Sequence, residues 1–189
     1  VNGAGTKMSG GFAAFVDDIE ALRRDVTAEH ELVKRVADRL ADFNRSERWL
    51  PADFRVPCME KYVQHVVYVS PDSGFSICSL VWCEQQATPI HDHCAWCVVG
   101  VYEGAENETR FRVEGDGDAR RLVPIGTTQM VAGDAAGFAA DGNDVHRVTN
   151  PTQGVAISIH VYGADIRTLG SSIRNRFDDL PIVARHATA

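Results

Sequence analysis

The chain has 189 residues, enough to bury a core without disulfides or a structural metal, and it suits one domain with a helical extension. Its formal net charge of −7 is scattered along the chain, which argues against a phosphate-backbone partner, so no nucleic acid is expected. No apolar run reaches membrane-spanning length, no secretory signal pattern opens the chain, and the five cysteines are odd in number; we expect a cytoplasmic protein with free thiols and no membrane partner.

Residues 1–10 begin with the Gly-rich "VNGAGTKM", which reads as disordered or vector-derived sequence ahead of Met8. Helical periodicity then runs from about residue 11 to 45. Phe12, Phe15, Ile19, Leu22 and Val26 recur at three- and four-residue spacing. Thr27, with Glu29 and Glu31 behind it, offers an N-cap for a second amphipathic helix through Leu32, Val36, Leu40 and Phe43. After "RWLPADFRVP" the texture changes to short β-rich runs, "YVQHVVYVS", "FSICSLVWCE", "HDHCAWCVVGVY", "ETRFRV" and "GVAISIHVYG", separated by turn clusters such as "SPDSG" and "ADGND". The reading is a mainly β chain, an antiparallel sandwich or barrel over about 56–165. A C-terminal extension over 166–189 follows, in which "ADIRTLGSSIRNRF" is a loop with a helical turn and "LPIVARHATA" a final strand or tail.

His91 and His93 form an H-x-H pair, and side chains two apart on a strand share a face, so both can meet one metal ion. Unbroken alternation carries Ala95 and Cys97 onto that face. His146, at the start of a later strand, can converge on the pair in a barrel. These residues resemble the cupin superfamily: His91, His93 and Gly104 stand at the spacings of its first motif, and His146 with Asn150 matches the end of its second. Cys97 takes the place of the first motif's usual Glu, and the Pro-x-Gly of the second is absent. Three neutral imidazoles leave the charge of a divalent ion uncompensated, so such a site welcomes an anionic ligand, for which a thiolate is a natural candidate. A three-histidine zinc site is the alternative.

Ser158, His160 and Tyr162 alternate along one later strand and share a face. Buried without partners, each would cost about 1–3 kcal/mol, so they are expected to bond to one another and to the site. Ser-x-His-x-Tyr downstream of the third histidine, with "PIHDH" and an E-G ending, resembles the thiol dioxygenases: cysteine dioxygenase and the bacterial 3-mercaptopropionate dioxygenases. The resemblance spans about Tyr62 to Tyr162. It implies a cupin-type antiparallel β-barrel with an N-terminal helical segment, Fe(II) on His91, His93 and His146, and a Ser158, His160 and Tyr162 relay beside a small-molecule thiol and O2. It also raises a Cys97 to Tyr162 thioether, as mammalian-type members carry.

Where mammalian-type cysteine dioxygenases have an Arg for the substrate carboxylate, this chain has Gln64, which cannot grip a carboxylate with two charged hydrogen bonds. It therefore resembles the Gln type, associated with 3-mercaptopropionate, which recruits an Arg from the segment after the Tyr: Arg174, with Arg167 as competitor. The resemblance implies oxidation of 3-mercaptopropionate to 3-sulfinopropionate, with L-cysteine to cysteine sulfinate as the alternative. A non-catalytic metal-binding cupin module and a zinc hydrolase or isomerase are the readings from other classes. His65, Cys58, Cys78, Cys83, Cys94, Trp82 and Trp96 read as packing, Asp92 as a residue facing away from the metal, and His30 and His186 as histidines without a visible partner.

Overall fold

The computed structural model of the protein describes residues 8–184; His186 lies outside them. Two helices open the chain, α1 (Gly10–Asp25) and α2 (Glu29–Ser46). Ser9 caps α1, its hydroxyl accepting from the Phe12 amide at 3.3 Å. Helix α2 starts one residue later than Thr27 would set it: its N-cap is Ala28, which has no side-chain acceptor, and Glu29 and Glu31 compensate the first-turn amides by charge. No described helix is long and apolar enough to cross a membrane.

Among the described residues ten strands follow: β1 (Val63–Val69), β2 (Ser76–Trp82), β3 (His91–His93), β4 (Cys97–Glu103), β5 (Ala105–Glu114), β6 (Arg121–Val131), β7 (Ala135–Phe138), β8 (His146–Thr149), β9 (Ala156–Tyr162) and β10 (Ile173–Arg176). They form two five-stranded sheets, in the orders β1-β2-β9-β4-β7 and β10-β3-β8-β5-β6, with antiparallel pairing throughout both. This is the mainly β, cupin-type barrel with N-terminal helices that the sequence suggests. The segment read as a loop after Tyr162 does more than turn: after a one-turn helix α3 (Ile166–Leu169), β10 pairs with β3, the strand that carries the first two histidines. The final segment adds one bridge, Ile182 to Leu122.

The central strands of the first sheet, β2, β9 and β4, are buried on both faces, which is why they read as nearly continuous apolar runs. Alternation along β9 divides the labour: Ile157, Ile159 and Val161 pack with Phe15, Ile19, Val36 and Leu40 of the helices, while Ser158, His160 and Tyr162 turn into the barrel. The same parity runs through β4, where Val98 and Tyr102 meet the helical layer while Cys97, Val99 and Val101 face inward. Gly100 permits that layer to approach, since a Cβ there would lie 2.7 Å from Leu40 Cδ2. Gly104 makes the β4–β5 turn at φ 77°, a conformation that disfavours a side chain.

Candidate metal centre and relay

The site lies between the two sheets. Strands β3 and β8 pair with His91 directly opposite His146, and His93 stands one alternation further on the same face, so three imidazoles converge. Their ligand atoms all lie within 4.8 Å of one another, and the three residues are only 2–4% exposed. Each Nδ1 is engaged on the outer side: His91 with Pro89 O at 2.9 Å, His93 with Asp144 Oδ2 at 2.8 Å, His146 with Glu108 Oε1 at 2.8 Å. Donation from Nδ1–H fixes the tautomer and leaves every Nε2 lone pair turned inward. Buried His146 Nε2 has no hydrogen-bond partner in the protein. A buried, unsatisfied imidazole nitrogen beside two other inward-facing ones fits a metal ion in its donor chemistry. Burial pushes His91 down to about 3, with repulsion from His146 and His93 adding to it, and burial likewise lowers His93. Both are held neutral, the form that ligates.

Three neutral imidazoles alone would leave the charge of a divalent ion uncompensated, but two of them are backed by acids. Asp144 and Glu108 set two buried carboxylates behind His93 and His146. Burial would raise Asp144, but its hydrogen bonds and charge interaction with His93 outweigh this and lower it. Asp144 Oδ2 also accepts the His93 backbone N–H at 3.0 Å, fixing the ligand's main chain as well as its ring. The signals for both partners are present in the sequence but weak: Asp144 stands two residues before His146, and Glu108 is an acid inside a strand.

The first sheet faces this cluster with a continuous polar chain. Trp82 Nε1–H donates to Ser158 Oγ at 3.2 Å, Ser158 Oγ lies 2.9 Å from His160 Nε2, and His160 Nδ1 lies 3.1 Å from Tyr162 Oη. Burial pushes His160 well below and Tyr162 well above their ordinary ranges, so both are held neutral. Trp82, read as core filling, is fully buried yet also part of the site: it stacks on Tyr62 at 4.6 Å and caps the relay.

These groups share a cavity of about 30 Å³, room for two or three waters. His91, His93, His146, His160, Tyr162 and Gln64 line it together with Tyr62, Trp82, Ser172 and Ile173. Gln64 is placed by its register opposite Leu80, and its Nε2 lies 3.7 Å from Cys78 Sγ. Ser172 was not foreseen; it lies against Tyr162 and lowers its pKa against the rise from burial.

Neither expected arginine reaches the cavity. Arg167 is paired with Asp165 at 2.8 Å, and Arg174 donates to Ala140 O at 2.9 Å and lies 3.8 Å from Asp92. For Arg174 the cause is a bulge in β10 between Ile173 and Asn175. It sets Ile173 opposite His93, Asn175 opposite Asp92 and Arg176 opposite His91, so Arg176 shares the face of the histidines while Arg174 does not. The charge of Arg176 is felt at Tyr62, where it partly offsets the rise caused by burial.

Cys97 reaches the site by another route than simple alternation. The chain leaves the second sheet after His93 and enters the first at β4, where Cys97 stands directly opposite Tyr162, with its sulfur 3.9 Å from His160 Nδ1. Asp92 faces away and anchors β10 by accepting from the Asn175 amide at 2.7 Å and side chain at 3.1 Å. Asn150 ties its loop to Trp82 O, Cys83 O and Gly154 O. His65 bonds Val56 O, and His30, expected to stand alone, lies 3.4 Å from Asp141. All five cysteines are free; Cys78, Cys83 and Cys97 are buried, whereas Cys94 is exposed against the Ser171 and Ser172 carbonyls instead of packing as a small hydrophobe.

Residues 6–174 match the family model described as cysteine dioxygenase type I. Among solved structures, the chain is similar to an uncharacterized conserved protein with a double-stranded β-helix domain from Klebsiella pneumoniae, at 17% identity over 64% of this chain and 92% of that one, TM-score 0.46. It is also similar to a cupin superfamily protein from Desulfitobacterium hafniense, at 12% identity over 64% and 94%, TM-score 0.45. A Thermus thermophilus protein matches at 21% identity over 59% and 91%, TM-score 0.43.

Proposed function

Because the chain belongs to the cysteine dioxygenase type I family, we propose that it is a non-haem Fe(II) thiol dioxygenase, adding both atoms of O2 to the sulfur of a small carboxylated thiol (RSH + O2 → RSO2H). The observation that carries this reading is the meeting, in one small cavity, of three inward-facing imidazoles with the Ser158, His160 and Tyr162 relay. His91, His93 and His146 would hold the metal. Iron(II), when bound, supplies a redox-active Lewis acid at which thiolate and dioxygen are brought together.

The chain's own residues do the rest. Asp144 and Glu108 orient two imidazoles and supply negative charge behind them. Tyr162, held neutral by burial, presents its hydroxyl to the cavity from the end of the relay. The apolar walls Leu80 and Val148 exclude water from the cavity.

The favoured substrate is 3-mercaptopropionate. Gln64 supports it by offering neutral hydrogen bonds where a charged fork would be needed for two-point recognition of a carboxylate. The candidate carboxylate partner is Arg176, on the ligand-bearing face and with its charge felt at Tyr62; like Arg174 and Arg167 it lies outside the cavity lining, 66% exposed and paired with Asp178 at 3.3 Å, so it would have to leave Asp178 to meet the substrate. L-Cysteine is the second reading, which the family's description favours. Oxygen uptake by iron-loaded protein on a panel of the two thiols distinguishes them: higher kcat/KM for 3-mercaptopropionate is expected, and a clear preference for cysteine would replace the first reading with the second. A Cys97 to Tyr162 thioether, formed with loss of two hydrogens to O2, belongs to the same proposal, supported by their direct cross-strand pairing. We read 11–189 as one cupin-type unit, β10 being part of the barrel.

A further inference from the structure

Strand β5 places Glu106 and Glu108 on one face, two residues apart. Glu108 serves His146. Glu106 serves nothing yet described: it is completely buried, and neither carboxyl oxygen has a hydrogen-bond partner. Burying an unpaired carboxyl is costly, so a position that keeps one needs an explanation. The polar groups that act on it are Ser158 of β9 and Trp82 of β2, the two members at the far end of the relay; each lowers its pKa, and neither completes a hydrogen bond to it.

We propose that Glu106 is a further member of the relay, a positioning residue whose protonation state sets the direction of every hydrogen bond from Ser158 to Tyr162. The count of donors and acceptors permits two fully satisfied arrangements, each keeping the Trp82 N–H on Ser158 Oγ. With Glu106 neutral, its O–H donates to Ser158, Ser158 O–H donates to His160 Nε2, His160 Nδ1–H donates to Tyr162 Oη, and the Tyr162 proton is free to donate into the cavity. With Glu106 ionised, Ser158 O–H donates to the carboxylate, His160 Nε2–H donates to Ser158, and Tyr162 donates to His160 Nδ1, leaving oxygen lone pairs facing the cavity. The two arrangements differ by one proton, released from Glu106. His160 stays neutral in both and only changes tautomer, consistent with burial holding it far below its ordinary range.

The switch falls in a useful range, since burial raises Glu106 to about 7 against the opposing effects of Ser158 and Trp82, with Glu108 adding to the rise. Charged or titratable neighbours are few: Glu108 on β5 itself and His160 beyond Ser158 on β9. From β6 the cross-strand neighbour is Met130, from β8 the nearest in register are Thr149 and Val148, and from β2 of the opposite sheet Trp82 acts on it; none of these titrates in this range.

The proposal rests on the thiol dioxygenase reading only for its consequence, the donor state of Tyr162, and the test separates the two. The full chain is loaded with diamagnetic Zn(II), and the His160 ring nitrogens are followed by nitrogen NMR from pH 6 to 8. In the wild type the ratio of the two tautomers is expected to change about a hundredfold, one proton across two pH units. In Glu106→Gln one arrangement should persist at both pH values, and in Glu106→Asp a switch should return. The iron-loaded wild type should show an inflection in its pH–rate profile near 7 that Glu106→Gln lacks. A wild-type His160 tautomer that does not change, or one that changes identically in Glu106→Gln, overturns the proposal whatever thiol the protein oxidises. The wild-type arm decides it even if Glu106→Gln fails to fold.

Discussion

Removing the carboxylate behind His93 probes how the metal centre is held. Asp144 Oδ2 receives the His93 ring N–H at 2.8 Å and the His93 main-chain N–H at 3.0 Å, and both residues are nearly inaccessible. Asp144→Ala leaves two buried donors unpaired, at about 1–3 kcal/mol each, and frees the imidazole to rotate or change tautomer. Loss of such a partner is expected to weaken metal binding about 10–100-fold. Asp144→Asn keeps an acceptor and loses only charge, so it should fall between wild type and Ala. The assay is competition for Zn(II) against a chromophoric chelator at neutral pH, with circular dichroism to confirm that each variant is folded. A folded Asp144→Ala protein that binds Zn(II) within twofold of wild type would refute the reasoning, since it would mean that His93 needs no orienting partner.

Three further outcomes follow from the same geometry. Glu106 in the native protein keeps a proton that the unfolded chain gives up above about 4.5, so native stability declines as pH rises from there to about 7, by about 3 kcal/mol. Glu106→Gln should therefore be more stable than wild type at pH 8 by up to that amount and show no such gain at pH 4, read by urea unfolding; an equal difference at both pH values contradicts it. Arg176→Ala should raise KM for 3-mercaptopropionate about fivefold, about 1 kcal/mol for a rim-exposed charge, and leave a thiol without a carboxylate unaffected, whereas Arg174→Ala and Arg167→Ala should change neither. Intact-mass analysis of protein treated with Fe(II), substrate and O2 should show a species lighter by two hydrogens that is absent from Cys97→Ser.

What could be read from the sequence, and what could not, divides along the strand period. His91 with His93, and Ser158 with His160 and Tyr162, are intrastrand pairs two residues apart, so the pleat alone puts them on one face. Which strand lies opposite which is not local information: Glu108 finds His146 only because β5 pairs with β8, and Glu106 finds Ser158 only because the two sheets close on each other. Strand β10 itself was not legible in a segment that reads as a loop, and its bulge separates Arg174 from Arg176, which a period of two would put on one face. Trp82 read as packing because a buried Trp usually is, and its N–H partner lies 76 residues away in sequence.

The proposed reaction brings thiol, dioxygen and these three histidines together. Anaerobically iron-loaded protein given 3-mercaptopropionate and isotopically heavy O2 should consume one O2 per thiol and yield a sulfinate carrying both heavy atoms. His91→Ala, His93→Ala and His146→Ala should each abolish this. A wild-type protein that retains iron on the three histidines yet consumes no O2 with any thiol of the panel, or whose product takes its oxygen from water, would contradict the account.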